Sequence, residues 1–387
     1  MDASSLLSSA LGIRLTLWLG KVAAVPAPVF VVEALSEASV TLSDEGRDGF
    51  QLTFTVGRTG VGMLDNLLVA SPLLMPSNRV ILQIWFGVFP EILIDGIITQ
   101  QEFHASGEPG GSTLTITGED IRVLMDMSEN AMPFPNMPPH VRIQLLLAKY
   151  FAFLATPPIT IPALVPETYL MTDRIPVQSC TDFEYINSLA KKNNYVFYVE
   201  PQAPLVSLAY WGPDKSLPLP PQAALSVNMG PGSNVDSIHF SNDALSPRMV
   251  SGFIQDKITG LPVPVASLPM TRIPLTPLPA VITQQPFVRR VFPKHSSSID
   301  PIEALLKAQA VTNKANDAIT ATGELDAVRY GHVLKPRRFV EVNGAGLLQD
   351  GLYYVKQVKH SIKHGEYRQS FTLKRDGRGP LTPRVLS

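Results

Sequence analysis

A strict two-residue alternation of apolar and polar side chains recurs along this chain and closes in a C-terminal hairpin. Residues 351–362, through Tyr353, Val355 and Val358 to Ile362, lead into Lys363-His364-Gly365-Glu366, and residues 367–375 run back. In the returning arm Tyr367, Phe371 and Leu373 share one face, and Arg368, Ser370, Thr372 and Lys374 the other. A side-chain period of two, interrupted by a glycine turn, specifies an antiparallel hairpin with one wet face. The same pattern returns at Ile13, Leu15, Leu17 and Leu19, at Phe50, Leu52, Phe54 and Val56, and over residues 112–118. Residues 80–86 are more apolar throughout, as a strand covered on both sides would be, and 92–98 follows as a further strand. Short strands with polar or Gly/Pro turns, such as 44–49 and 108–111, point to a barrel or sandwich.

The period changes between residues 138 and 199. After Pro138-Pro139, the spacing of Ile143, Leu146, Leu147, Tyr150, Phe151 and Leu154 predicts a helix over 140–154. Thr181-Asp182-Phe183-Glu184 is a capping box, in which the Thr181 hydroxyl accepts from the Glu184 amide and Glu184 reaches back. Phe183, Ile186, Leu189 and Ala190 form the apolar stripe of that helix, and Asn193-Asn194 can end it in a left-handed residue. A strand over 195–199 follows. Residues 200–290 carry 15 prolines. Strands are expected at 237–240 and 249–253, but 261–286 reads as an extended arm or long loop, because each proline removes an amide donor. Asp300-Pro301-Ile302-Glu303 opens a helix expected to run over 304–321 and stop at Gly323. A strand over 333–342 and a Gly344-Ala345-Gly346 turn precede the hairpin.

A chain of 387 residues has room for two or three domains. Its 45% apolar and 17% charged content excludes a disordered chain. Cys180 is the only cysteine, which excludes an internal disulfide and a multi-cysteine zinc site. Charge is unevenly spread. Residues 1–200 hold 20 acids and 11 bases, residues 201–387 hold 13 and 21, and from Arg329 onward there are 12 bases against 4 acids. Solvated strand faces account for this, and so does head-to-tail association of an acidic half with a basic half. Nucleic-acid binding fits less well, since the basic residues alternate with apolar ones along strands. Asp2 stands where a signal peptide needs positive charge. No apolar run of about 20 residues suggests a membrane span.

Enzymatic constellations are sparse. There is no Gly-x-Ser-x-Gly elbow. Gly57-Arg58-Thr59-Gly60-Val61-Gly62 lacks the lysine of a phosphate loop and reads as a turn. Cys180 lies just before a helix cap, with no base tied to it in sequence. His360, His364 and Glu366 offer two imidazoles and one carboxylate near the hairpin end, short of a dedicated metal set. Glu102, Glu108, Glu119 and Asp120 supply carboxylates, but nothing singles out a glycosidase pair. No catalytic, cofactor-binding or metal residue is assigned, and no cofactor is expected.

The order of elements resembles a known family, the central hub proteins of contractile tails. These are the late-control protein D type of myophages, related to the base of type VI secretion spikes and to hubs of extracellular contractile injection systems. Four segments carry the likeness: the opening β unit through 50–56 and 92–120; residues 181–199; Ala304-Leu305-Leu306-Lys307-Ala308-Gln309-Ala310; and Tyr353-Tyr354-Val355-Lys356-Gln357-Val358-Lys359-His360 with its hairpin. Residues 181–199 are similar to the family's D-x-x-F-L-x-x-L-A-x-x-x-G-x-x-x-x-V helix–strand, with Asn194 where the family has glycine. The insertion at 255–295 is proline-rich, where some relatives carry a lysine-rich stretch. Spike relatives continue into an oligosaccharide-binding fold and a needle, so this chain is expected to be a stand-alone hub with a separate spike.

The resemblance implies a mainly β fold with an α+β insertion and two tube-protein-like β-barrels per chain. Residues 1–130 are then a first barrel completed by strands from 205–255, 131–204 a small α+β unit, 205–298 a proline-rich region with an extended arm, and 299–387 elements of the second barrel. It further implies a homotrimeric, pseudo-sixfold ring that adapts a hexameric inner tube to a trimeric spike and lines part of the channel. Its partners would be the inner tube protein, the spike and other baseplate proteins, with no nucleic-acid contact and no membrane insertion required. It would assemble in the bacterial cytoplasm and reside in the baseplate of a phage tail or tail-like particle. A hub-associated peptidoglycan hydrolase and a β-rich carbohydrate-binding tail-tip protein are the competing expectations.

Overall fold

The computed structural model describes residues 13–56, 68–108, 111–163, 175–213, 220–256, 259–269, 275–283, 288–293 and 300–380. The Gly57–Gly62 turn lies outside them. The fold is mainly β and is organised on one 13-stranded sheet. Its first half contains β1 (Ile13–Gly20), β2 (Leu35–Ser43), β3 (Gly49–Val56), β4 (Arg79–Phe86), β5 (Phe89–His104) and β6 (Ser112–Asp120). Alternation along β2, β3 and β6 puts Val40, Leu52, Phe54, Leu114 and Ile116 into one core with Leu17 and Leu19. β4 is buried on both faces, as its composition requires.

An α+β unit follows. It comprises β7 (Glu129–Pro133), α1 (Pro139–Ala148), α2 (Phe151–Leu154), β8 (Val177–Thr181), α3 (Asp182–Lys192), β9 (Tyr195–Ala203) and β10 (Val206–Pro213). Ile143, Leu146, Leu147, Ile186, Leu189 and Trp211 form its separate core. Thr181 caps α3 by accepting from the Glu184 amide at 3.2 Å. Asn194 ends the helix at φ 56°, the left-handed conformation that asparagine tolerates.

The second half of the large sheet is built from β11 (Gln222–Ser226), β12 (Val235–Asn242), β16 (Ile319–Asp326), β17 (Phe339–Asn343), β18 (Gly351–Lys363) and β19 (Glu366–Arg375). Between β12 and β16 lie β13 (Arg248–Gln255), β14 (Pro262–Ala266), β15 (Arg289–Val291) and α4 (Pro301–Ala315). These pack on their own small core of Val250, Ile254, Val265, Ala304 and Ala308.

The two halves of the large sheet repeat one topology. The first runs β1-β4-β5-β6-β3-β2 and the second β11-β17-β18-β19-β16-β12, so the strands correspond one to one in chain order. Irregularities correspond too. β5 bulges against β6 between Ile98 and Gln100, and β18 against β19 between Val355 and Gln357. β2 bulges against β3 between Leu35 and Glu37, and β12 against β16 between Val235 and Ser237. Before β4, Ser77 has φ 73° and donates its amide to Ile98; before β17, Arg337 has φ 64° and donates to Val355. A bulge shifts which face each later side chain takes, so matched bulges keep the two halves in phase. One pair departs: β1 is antiparallel to β4, whereas β11 is parallel to β17.

Several sequence expectations need correction. The helix expected over 304–321 ends at Ala315, and Ile319–Asp326 is a strand between β12 and β19. Alternating Ile319, Ala321 and Leu325 fill the second core, a burial that overrides helical propensity. The helix expected over 140–154 is interrupted at Lys149-Tyr150, where both side chains turn to Asp182. The strand expected over 333–342 begins only at Phe339, after Pro336 and the left-handed Arg337.

The expected arm over 261–286 does pair in part. β14 is an edge strand on β13, with Pro264 opposite Phe253 and Pro262 opposite Gln255. An edge strand leaves one side unladdered, which is where proline costs nothing. Leu278–Pro279 pairs with Gly377–Arg378. Finally, strands from 205–255 do not complete the first half. β10 pairs in the α+β unit, β11 and β12 pair in the second half, and β13 pairs with β14 and β15. Val235, Ile238 and Phe240 belong to the core of the second half.

Candidate functional site

The carboxylates considered from sequence are not brought together as a catalytic pair. Glu119 and Asp120 are consecutive in β6 and project to opposite faces. Glu119 meets Arg47 at 2.9 Å, and Asp120 is buried against Arg122. Glu102 lies on an exposed stretch of β5, where it accepts from Gln100. Cys180 sits in β8 opposite Asn130. Partial burial and the nearby Glu184, Glu129 and Asp182 raise its thiol pKa, the reverse of an activated nucleophile. His360 and His364 part company. His360 is fully buried with Nδ1 2.9 Å from the Tyr367 hydroxyl, while His364 is exposed in the hairpin turn. Burial lowers the His360 pKa to about 3, with Lys335 adding to the effect. No group of three metal-ligating side chains occurs among the described residues.

The buried charges instead act as fasteners. Arg79 of β4 and Asp95 of β5 form a bidentate pair at 2.7 and 2.6 Å, each side chain 1% exposed. The same guanidinium donates to the carbonyls of Val22 and Phe153, and Asp95 also accepts from Ser207 of β10. One ion pair thus ties the first half of the sheet to the α+β unit. A second knot lies at the end of β6. Asp120 takes Arg122 side-on at 2.9 and 2.6 Å and accepts the Asp48 amide at 2.6 Å. Asp48 meets Arg337 of the second half at 3.5 Å. Burial raises the Asp48 pKa against the pull of Arg337 and Arg122. Within the α+β unit, Asp182 gathers Lys149, Tyr150, Gln178 and Asn130. Sequence marked Asp120 only as a spare carboxylate and Asp182 only as part of a helix cap, and none of these pairings. Arg79 stands immediately before the apolar run 80–86, and Asp95 is the one charged residue in the strand at 92–98.

The two halves meet strand to strand. Beyond its bulge, β18 pairs antiparallel with β2, with Val358 opposite Leu42, His360 opposite Val40 and Ile362 opposite Ala38. Arg337 reinforces the seam by donating to the Ser43 carbonyl, and Lys363 lies 3.7 Å from Glu37. The result is a continuous ladder across two like modules. A sheet can be extended this way without leaving a free edge inside it.

No family model and no curated protein matches the sequence. Solved structures do match over nearly the whole chain. A tail protein from Neisseria meningitidis MC58 superposes with a TM-score of 0.62 at 16% identity, over 94% of this chain and 97% of that one. The 43 kDa tail protein of prophage MuSo2 from Shewanella oneidensis gives 0.61 at 12% identity, over 94% and 99%. This is a tail-protein fold. A component of the Escherichia coli type VI secretion system, itself described as similar to T4 tail proteins gp27 and gp5, superposes at 0.55 and 10% identity, over 90% of this chain and 77% of that one. The likeness expected from sequence to tail and type VI spike-associated proteins is therefore found in the fold.

Proposed function

We propose that this chain is the hub of a contractile tail. It forms a homotrimer whose six like modules face a hexameric inner tube and whose three subunits face a trimeric spike. The observation that carries this is the repeated topology: two modules of one strand order, with matched bulges, joined edge to edge in each chain. Six modules from three chains give a ring that is threefold in sequence and close to sixfold in backbone. The acidic first half and the basic second half suit the head-to-tail contacts that such a ring needs. In this proposal each module is a tube-like barrel segment. The first spans β1–β6, and the second spans β11, β12 and β16–β19. The α+β unit and the β13–α4 excursion decorate the ring. Other baseplate proteins complete the surroundings, in a phage tail or tail-like particle.

Light scattering with negative-stain imaging tests this. The expected outcome is a particle of three times 42.2 kDa with six lobes around a channel. A chain that stays monomeric at every concentration and with tube protein added refutes the proposal.

A further inference from the structure

The two modules differ at one matched place. Past its bulge, β18 is covered by β2, and His360 on that stretch is 0% exposed. The matched stretch of β5 begins at Gln100, and among the described residues no strand lies along that edge. Phe103 occupies the position of His360. It stands opposite Leu114 on the core-facing side of the sheet, yet it is 51% exposed. At the far end of the sheet, β12 occupies the position of β2. It pairs with β16 on one side, and among the described residues no strand pairs with its other side. Ile238 and Phe240 stand where β2 has Ala38 and Val40. Both are half-buried, whereas their counterparts are buried.

We infer that β5 of one protomer pairs antiparallel with β12 of the next copy, with Phe103 opposite Phe240, Glu102 opposite Ser241 and His104 opposite His239. This rests on the two-module proposal above and fixes its interface residue by residue. The template is the ladder inside the chain, where β18 and β2 pair as Lys359–Thr41, His360–Val40 and Ser361–Ser39. The matched bulges in β5 and β12 carry the same parity to both free edges, so apolar side chains fall on one face. The register sets Phe103 on Phe240 and Ala105 on Ile238, closing the exposed end of the core. Unpaired edges of this length invite strand addition, and a second copy of this chain carries the one complementary to each. The two edges lie on different modules, so the contact is heterologous and propagates around a ring.

Disulfide trapping tests the register on the full chain in a Cys180→Ser background. Directly opposed Cα atoms lie about 4.5–5.5 Å apart, within disulfide reach, whereas diagonal neighbours at about 7–8 Å exceed it. Within one chain the two positions are separated by six intervening strands. Mixing Phe103→Cys chains with Phe240→Cys chains under mild oxidation should give covalent dimers. The double variant should give covalently closed trimers. Phe103→Cys with Ile238→Cys should give at least about tenfold less product. Unchanged melting of each reduced variant confirms that these partly exposed sites leave the fold intact. A sample that scatters as a trimer but does not form the Phe103–Phe240 bond overturns this interface and leaves the hub proposal standing. A chain that remains monomeric overturns both.

Discussion

Removing Asp95 tests whether buried charge holds the first half of the sheet to the α+β unit. In Asp95→Ala the Arg79 guanidinium keeps its bonds to the Val22 and Phe153 carbonyls but loses both bonds to the carboxylate. Those carbonyls are neutral, so a buried cation is left without a counter-charge. Breaking one side of such a pair costs about 3–5 kcal/mol. Melting falls roughly 2–4 °C per kcal/mol in chains of 150–250 residues and less in longer ones, so the expected loss is about 6–10 °C. Differential scanning fluorimetry reads this. The double variant Arg79→Met with Asp95→Leu removes both charges and should recover more than half of the loss. If Asp95→Ala melts within about 1 °C of the parent, or if the double variant loses the sum of the single effects, the pair is not the fastener described.

Three further outcomes follow from the geometry. The His360 pKa is lowered to about 3, so the folded state holds this imidazole neutral while the unfolded chain protonates it below about 6.5. Stability should fall as pH drops from 6.5 towards 3, by up to about 1.4 kcal/mol per pH unit for this one group, and His360→Gln should flatten that slope in urea titrations run across the range. Asn194 is left-handed at the end of α3, so Asn194→Val should lower stability by about 1–3 kcal/mol while Asn194→Gly is close to neutral, as read by urea midpoints. A Cβ on Gly118 would meet Phe50 Cζ at 2.3 Å, and one on Gly323 would meet Phe371 Cζ at 2.6 Å; each Gly→Ala change should therefore cost about 1–3 kcal/mol by overpacking, measured the same way.

Local chemistry made much of this fold legible. The hairpin of β18 and β19 could be read because its apolar residues alternate and a glycine stands at the turn. The caps at Thr181 and Asp300 could be read because their side-chain oxygens meet amides two or three residues on. What escaped depends on distant partners. Ile319–Asp326 followed an alanine-rich helix closely enough to read as its continuation, and only its neighbours β12 and β19 make it a strand. Gln369 and Arg375 lie on the inner face of β19, where alternation alone would expect apolar residues. Gln369 there joins the backbone at Leu334 and His332, and Arg375 joins Asp350. The expected two modules were assigned to partly wrong strands, because β12 is separated from β16 by the β13–α4 excursion. The spacing between matched residues is accordingly uneven, from 200 between Leu35 and Val235 to 271 between Phe54 and Leu325. No fixed sequence period links the halves, and pairing register had to reveal the repeat.

The β13–α4 excursion itself carries a practical lesson. Where the first module turns tightly from β2 to β3 around Gly46, the second module leaves the sheet after Asn242 and returns at Ile319 with its ladder in phase. That corner of the architecture therefore tolerates a large graft. Gly46, left-handed and with open space around it, is accordingly the place to splice a foreign domain for display or cargo attachment.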